Sequence, residues 1–224
     1  MKLTEAIDHF FVIVIHNFIK GFLWFVLRCF YFTKIIDSKN IPSKGGFIVA
    51  ANHSSFFDPP LIGISTWRRM YHFMARDTLF QGWDFLHYLG AIPIKRATVD
   101  RNAWDKVITT VQEGHIVGLF PEGTRSTDGE IHEGKAGTGM LVYKSKCKVI
   151  PAYIAGGFQA WKKSSLFPTP FKKLEVIYGE PLSFDAQFLK TDNKETYIEI
   201  TGIIMAAIKR LKEKQISMHL KVRK

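Results

Sequence analysis

Phe47-Ile48-Val49-Ala50-Ala51-Asn52-His53-Ser54-Ser55-Phe56-Phe57-Asp58-Pro59-Pro60 passes from five apolar residues into a polar turn and then into a pair of prolines. Preceded by the Pro/Gly-containing stretch Ser38 to Gly46, this short continuous apolar run has the pattern of a strand buried on both faces of a sheet. His53 and Asp58 follow directly at its C-terminal end. Residues five apart lie about 140° apart around a regular helix, so the two side chains can meet only through a loop. Asp58 ahead of Pro59 and Pro60 also reads as the N-cap of a helix whose first position tolerates proline. A ring and a carboxylate brought together this way have a definite chemistry. A neutral imidazole, with an unperturbed pKa of about 6.5, accepts a proton near neutral pH, and a carboxylate on its other nitrogen fixes the tautomer and stabilises the imidazolium.

Outward from this stretch, strand-like runs alternate with helical ones. Tyr71 to Ala75, Ala91 to Ile94, His115 to Phe120, Lys148 to Ile154 and Leu174 to Tyr178 read as strands. Thr78 to Leu89, Arg101 to Glu113, Gly137 to Lys146 and Asn193 to Lys214 read as helices. In the second of these, Trp104, Val107, Ile108 and Val111 share one face, and Gly114 is its stop. The alternation predicts an α/β fold: a single domain with a mostly parallel or mixed central sheet flanked by helices, with ligands gathering beyond strand C-termini. An N-terminal amphipathic helical anchor precedes it, so the expected organisation is an aromatic-rich anchor over 1–36 and the α/β domain over 37–224, ending in a basic helix and tail.

The chain has 224 residues, 31 Lys and Arg against 20 Asp and Glu, and a formal charge of +11, which calls for an anionic partner. Cys29 and Cys147 make neither a metal-ligand spacing nor a disulfide framework, so no metal site is expected and a reducing, cytosol-facing setting fits. Residues 9 to 33 (HFFVIVIHNFIKGFLWFVLRCFYFT) are dense in aromatic and aliphatic side chains yet broken by His16, Asn17, Lys20 and Arg28. The uninterrupted apolar runs fall short of the roughly 18 to 20 residues of a spanning helix. On a helical wheel Lys2, Glu5, His9, His16, Asn17 and Lys20 form a broad polar arc, which predicts an interfacial helix, or a helical pair bent near Asn17 to Gly21, lying on an anionic phospholipid surface. From Lys209 onward seven Lys and Arg face a single Glu, which suits either a solvated helix end or a headgroup patch. The cations are not interleaved with stacking aromatics or a groove-reading motif, so nucleic acid is not the expected partner.

Three further clusters supply chemistry. Phe120-Pro121-Glu122-Gly123-Thr124-Arg125-Ser126 runs from a buried strand into a turn with the parts for holding a phosphate: a planar guanidinium fork at Arg125, close backbone approach at Gly123 and a hydroxyl donor at Thr124. Gly90-Ala91-Ile92-Pro93-Ile94-Lys95-Arg96 puts cations just past another apolar strand. Val149-Ile150-Pro151-Ala152-Tyr153-Ile154 reads as an apolar wall.

In order and separation these segments resemble the blocks of the glycerolipid acyltransferase family, over about Asn40 to Leu182. The resemblance implies that His53 takes a proton from an acceptor hydroxyl, that Asp58 orients it, and that Arg96, Glu122, Gly123, Thr124 and Arg125 shape the site of the acceptor phosphate. Lys135-Ala136-Gly137 and Tyr178-Gly179-Glu180-Pro181 look like the family's downstream pattern, with Lys135 a further phosphate ligand; Pro93 replaces an aromatic often found there. The implied activity is transfer of a fatty acyl group from acyl-CoA or acyl carrier protein to the sn-2 hydroxyl of 1-acylglycerol-3-phosphate (lysophosphatidic acid), giving phosphatidic acid in phospholipid biosynthesis. No cofactor beyond that thioester co-substrate is implied, and the setting is monotopic, on the cytoplasmic face of the cell membrane. The alternatives are another acceptor, such as glycerol-3-phosphate or another lysolipid, and a non-enzymatic membrane or nucleic-acid binding protein. An acyl-chain tunnel is expected to draw on Phe73, Leu79, Phe80, Phe85 or Leu86.

Overall fold

The computed structural model describes residues 3–66, 69–80, 86, 90–95, 100–185 and 191–222, with side chains for those from 13 to 221. Its sheet contains β1 (Lys34–Ile36), β2 (Phe47–Ala51), β3 (Tyr71–Arg76), β4 (Ala91–Ile94), β5 (Ile116–Leu119), β6 (Lys148–Ala155) and β7 (Glu175–Tyr178), in the spatial order β1-β7-β6-β2-β5-β3-β4. From β6 to β4 neighbouring strands are parallel; β7 pairs antiparallel with β6, and β1 runs parallel to β7. The sheet is thus mixed, with helices on both faces, in keeping with the α/β expectation. The strand runs at Phe47, Tyr71, Ala91, His115, Lys148 and Leu174 all form strands, with ends shifted by a residue or two at most.

The fully apolar β2 follows from its central position. Phe47, Val49 and Ala51 point into one core with Leu61, Ile62 and Ile150, and Ile48 and Ala50 point into the other with Val107, Val117 and Ile200. Period-two side-chain alternation in a strand covered on both sides demands apolar residues at every position. The first core is closed by α1 (Leu3–Tyr31) and α2 (Asp58–Gly63); the second by α3 (Arg101–Gln112), α4 (Ala136–Ser145) and α6 (Lys194–Val222). A sixth helical piece, α5 (Gly157–Trp161), follows β6.

The structure corrects the sequence reading at several places. Of the two arrangements expected of the N-terminal segment, it takes the single helix, continuous from Leu3 to Tyr31, and not the helical pair. Its part Ile13–Tyr31 is long and apolar enough to cross a membrane by length and composition, because a helix tolerates the isolated polar residues that interrupt it. Its burial is inverted: Lys20, Leu27 and Tyr31 are buried against the domain, while Phe18, Phe22 and Phe25 face outward. The Lys20 ammonium donates to the Arg69 carbonyl at 3.1 Å. Lys34–Ile36, placed by its sequence with the N-terminal segment, pairs with β7 as the edge of the sheet. Of the helix expected over Thr78 to Leu89, Asp77–Phe80 forms a 3-10 turn and most of the remainder, Phe85 included, lies outside the described residues. Finally, α6 continues eight residues past Lys214 through the basic tail, tethered there by Lys214 to Asp37 and His219 to Glu175.

Candidate active site

β2, β5 and β6 are adjacent and parallel, so the segments leaving their C-terminal ends, Asn52 to Asp58, Phe120 to Ser126 and Gly156–Gly157, share one edge of the sheet. Asn52 makes the first link. Its amide donates to the Ile154 carbonyl at 3.0 Å and accepts from the Ile154 N–H at 2.7 Å, so a buried side chain continues the ladder where the β2 backbone turns away. That turn brings His53 and Asp58 together. His53 Nδ1 lies 2.8 Å from Asp58 Oδ2, and the same oxygen accepts from the N–H groups of Ser54 at 2.7 Å and Ser55 at 2.8 Å.

Asp58 is not the N-cap of α2; Phe57 is, and Asp58 is the first helical residue. Pro59 and Pro60 carry no N–H, so two of the donors that a cap carboxylate would ordinarily satisfy are missing. The fully buried Asp58 carboxylate is therefore available to the turn in front of it. A carboxylate only accepts, which places the proton of neutral His53 on Nδ1 and leaves Nε2 as the basic nitrogen.

His53 is held on all sides. Its ring stacks on Phe120, with centroids 4.0 Å apart and planes inclined by 15°. Its N–H donates to Glu122 Oε1 at 2.8 Å and its carbonyl accepts from the Ser126 N–H at 2.7 Å. Glu122 Oε2 accepts from the His132 N–H at 3.2 Å. Burial pushes the Glu122 carboxyl up, and the two N–H groups oppose that shift. With both oxygens engaged by backbone and the side chain buried, Glu122 shapes the site from behind and not as a ligand, which suits a group that would repel a phosphate.

The other expected phosphate ligands sit around the turn that Glu122 secures. Gly123 has φ +68°, a left-handed value that favours glycine. A Cβ there would lie 3.1 Å from Lys135 Cδ and 3.3 Å from its Nζ, so the lysine side chain lies across the turn. Lys135 reaches that place because its N–H donates to the Pro121 carbonyl at 2.8 Å at the N-terminal end of α4. The Arg125 guanidinium lies over the Phe56 ring, 3.5 Å from its centroid, where cation–π attraction orients it. Thr124 is exposed beside them, and Arg96 lies outside the described residues. Of the side chains expected to line a tunnel, Phe73 stacks toward Phe120 at 6.3 Å and so extends the apolar wall behind His53, whereas Leu79 is exposed.

Two residues of the site, Asn52 and Gly157, have no role in the sequence reading. Asn52 signals itself only as a polar residue at the end of a buried strand, whereas Ser126, the last residue of the phosphate-shaped turn, also donates from its Oγ to Asp128 Oδ1 at 2.7 Å and accepts there from the Gly129 N–H at 2.9 Å. Gly157 packs against the turn between His53 and Asp58: a Cβ there would lie 2.9 Å from Asp58 Oδ1, 3.0 Å from Ser55 Cβ and 3.2 Å from Ser54 Oγ. Its signal is a Gly-Gly pair at the end of an apolar strand, the mark of a close backbone approach.

A family model described as Acyltransferase matches residues 33–155. The 1-acyl-sn-glycerol-3-phosphate acyltransferase of Bacillus subtilis is 31% identical over 187 residues, spanning 81% of this chain and 88% of that protein. The protein of the same name from Streptococcus pneumoniae is 23% identical over 189 residues, or 82% and 67% of the two chains. Among solved structures, the 1-acyl-sn-glycerophosphate acyltransferase of Thermotoga maritima superposes with a TM-score of 0.66 at 26% identity, covering 95% of this chain and 84% of that one.

Proposed function

The chain belongs to the acyltransferase family, and from that premise we propose that it transfers a fatty acyl group from a thioester to the sn-2 hydroxyl of 1-acylglycerol-3-phosphate, forming phosphatidic acid. The observation that carries this reading is a partly exposed His53 paired with a fully buried Asp58, with Nε2 of the histidine as the basic nitrogen, on the same sheet edge as a glycine turn flanked by Arg125 and Lys135. Those two cations hold the acceptor by its phosphate, and Arg96 and Thr124 are further ligands. His53 Nε2 removes the hydroxyl proton as the oxygen attacks the thioester carbonyl. Collapse of the tetrahedral intermediate forms the ester and breaks the carbon–sulfur bond, and the thiolate departs, taking the proton from His53 or from solvent. Asp58 stabilises the imidazolium in between.

Direct transfer needs no acyl-enzyme. Ser55 is fully buried with its hydroxyl donating to the Trp161 carbonyl at 2.9 Å, which suits a structural hydroxyl better than a nucleophile. Recovery of an acylated serine from single-turnover quenching would refute direct transfer.

The lipid acceptor puts the enzyme at a membrane. The outward stripe Ile15, Phe18, Phe22 and Phe25 of α1 lies against the bilayer, while Lys20 on the inner side ties the helix to the domain. A helix held along one side in this way lies on the surface, at the cytoplasmic face where the donor thioesters are. The test is a matrix of acceptors (lysophosphatidic acid, glycerol-3-phosphate and neutral lysolipids) against CoA and carrier-protein thioesters. Phosphatidic acid is the expected dominant product. Equal rates with neutral acceptors would overturn the phosphate reading, and preference for glycerol-3-phosphate would reassign the acceptor.

A further inference from the structure

Residues 162 to 173 read Lys-Lys-Ser-Ser-Leu-Phe-Pro-Thr-Pro-Phe-Lys-Lys: an apolar tip between two lysine pairs, with no acidic residue. This segment joins α5 to β7. Leu166, Phe167 and Phe171 are 81%, 75% and 66% exposed, far more than a soluble surface has reason to show in one loop. The loop is nevertheless pinned. Ser165 N–H donates to the Lys162 carbonyl at 3.0 Å, the Trp161 indole to the Ser165 carbonyl at 3.2 Å, and Thr169 N–H to the Ala160 carbonyl at 2.7 Å. Phe171 N–H donates to the Phe30 carbonyl at 2.9 Å, which joins the loop to the end of α1.

Both sides of that junction are strained. Phe32 (φ 48°) and Phe171 (φ 60°) occupy the left-handed region, which bulky side chains seldom adopt and which marks functional segments when it persists. The Phe171 ring is 6.4 Å from that of Phe30, itself exposed like Phe32. An apolar surface therefore continues from the stripe of α1 to the loop tip.

We propose that loop 162–173 is a second membrane contact: Leu166, Phe167 and Phe171 insert among the acyl chains of an anionic phospholipid surface, and Lys162, Lys163, Lys172 and Lys173 meet its phosphates. The proposal rests on the reading of α1 as lipid-facing. Charge selects the occupant, since all four lysines are exposed around the tip, an arrangement complementary to anionic headgroups and contrary to protein interfaces, where lysine is depleted. The contact also bears on the active site. The Phe56 N–H donates to the Trp161 carbonyl at 3.3 Å, the two rings lie 4.8 Å apart, and Arg125 sits on Phe56. A loop inserted here seats the mouth of the site at the headgroup plane, where an acceptor's phosphate can reach Arg125 while its acyl chain stays in the lipid.

The test uses the full chain carrying Cys29→Ser and Cys147→Ser, with a fluorophore on Phe167→Cys or, as control, on Glu199→Cys, exposed on α6 across the sheet. Added to vesicles of phosphatidylcholine and phosphatidylglycerol, the label at 167 should be quenched by nitroxides on the lipid chains, and the label at 199 should not. Leu166→Ser, Phe167→Ser and Phe171→Ser together should weaken vesicle partitioning by about ten-fold or more. Replacing the four lysines with glutamine should weaken it by a similar factor on anionic vesicles alone. An unquenched label at 167 on protein that still sediments with vesicles overturns the loop contact and leaves the α1 reading standing. Absence of sedimentation overturns both, whereas acyl transfer measured in detergent micelles reports on the enzymatic reading separately.

Discussion

His53 is fixed through its main chain as much as through its ring. Its N–H and carbonyl are bonded to Glu122 and to Ser126 whatever side chain the position carries. His53→Ala should therefore leave the fold intact, as circular dichroism would show, and lower turnover by at least about 10²-fold, the usual worth of general-base assistance. Near-parental turnover would remove His53 from the mechanism. Gly157 gives a second prediction. A methyl group there meets Asp58, Ser54 and Ser55 at about 3 Å, too close for the turn to keep its place. Gly157→Ala should cost about 1–3 kcal/mol in urea unfolding, as overpacking does, and reduce kcat with little change in KM. Arg125 divides the other way. Arg125→Ala should raise KM for phosphate-bearing acceptors and spare neutral ones; equal losses on both would make its role structural.

At the level of elements, α1 shows how far periodicity can be read and where it stops. The polar arc containing His16 and Lys20 was legible, but the sequence does not state whether that arc faces water or the domain. Packing decides: Leu27 and Tyr31 carry the same side of the helix into the core, and Lys20 goes with them. Burial holds the Lys20 ammonium down at about 8. Its unfolded value is about 10.4, so between the two the unfolded chain binds the extra proton and stability rises with pH. Below about 8 both states are charged, and the buried charge costs its full amount. Lys20→Met should thus be more stable than the parent at pH 7, by about 1–2 kcal/mol, with the gap closing as pH rises toward 10. A gap independent of pH in denaturation titrations would contradict the burial of this charge. The short elements were illegible for a different reason. Three residues at Lys34–Ile36 and five at Gly157–Trp161 are too few for a period to emerge, and tertiary pairing alone defines them.

Across the whole molecule, the long apolar runs announced the sheet because burial on both faces leaves no other composition possible. Contacts between distant segments did not announce themselves. Asn52 with Ile154 and Glu122 with His53 depend on which strands become neighbours, an order that no local spacing encodes. The same integration alters what truncation can test. Removing residues 1–33 takes Leu27 and Tyr31 out of the core, and the loss of two large buried side chains, typically about 3–5 kcal/mol each, should unfold or severely weaken the domain. Phe18→Ser, Phe22→Ser and Phe25→Ser together change exposed positions only, so melting should be nearly unchanged while vesicle co-sedimentation falls. Survival of a stable, soluble domain without residues 1–33 would disprove the structural role of α1.

The hydrogen bonds around His53 span 69 residues to Glu122, and those of its neighbour Asn52 span 102 to Ile154. Closing such separations is slow and comes after local structure in folding. Helix signal should therefore return early when the denatured chain is diluted into buffer, and acyl transfer should return only once β5 and β6 have both docked on β2. Recovered activity is then a clock for the last assembly step, and a collapsed chain with full secondary structure and no turnover is the intermediate it would reveal.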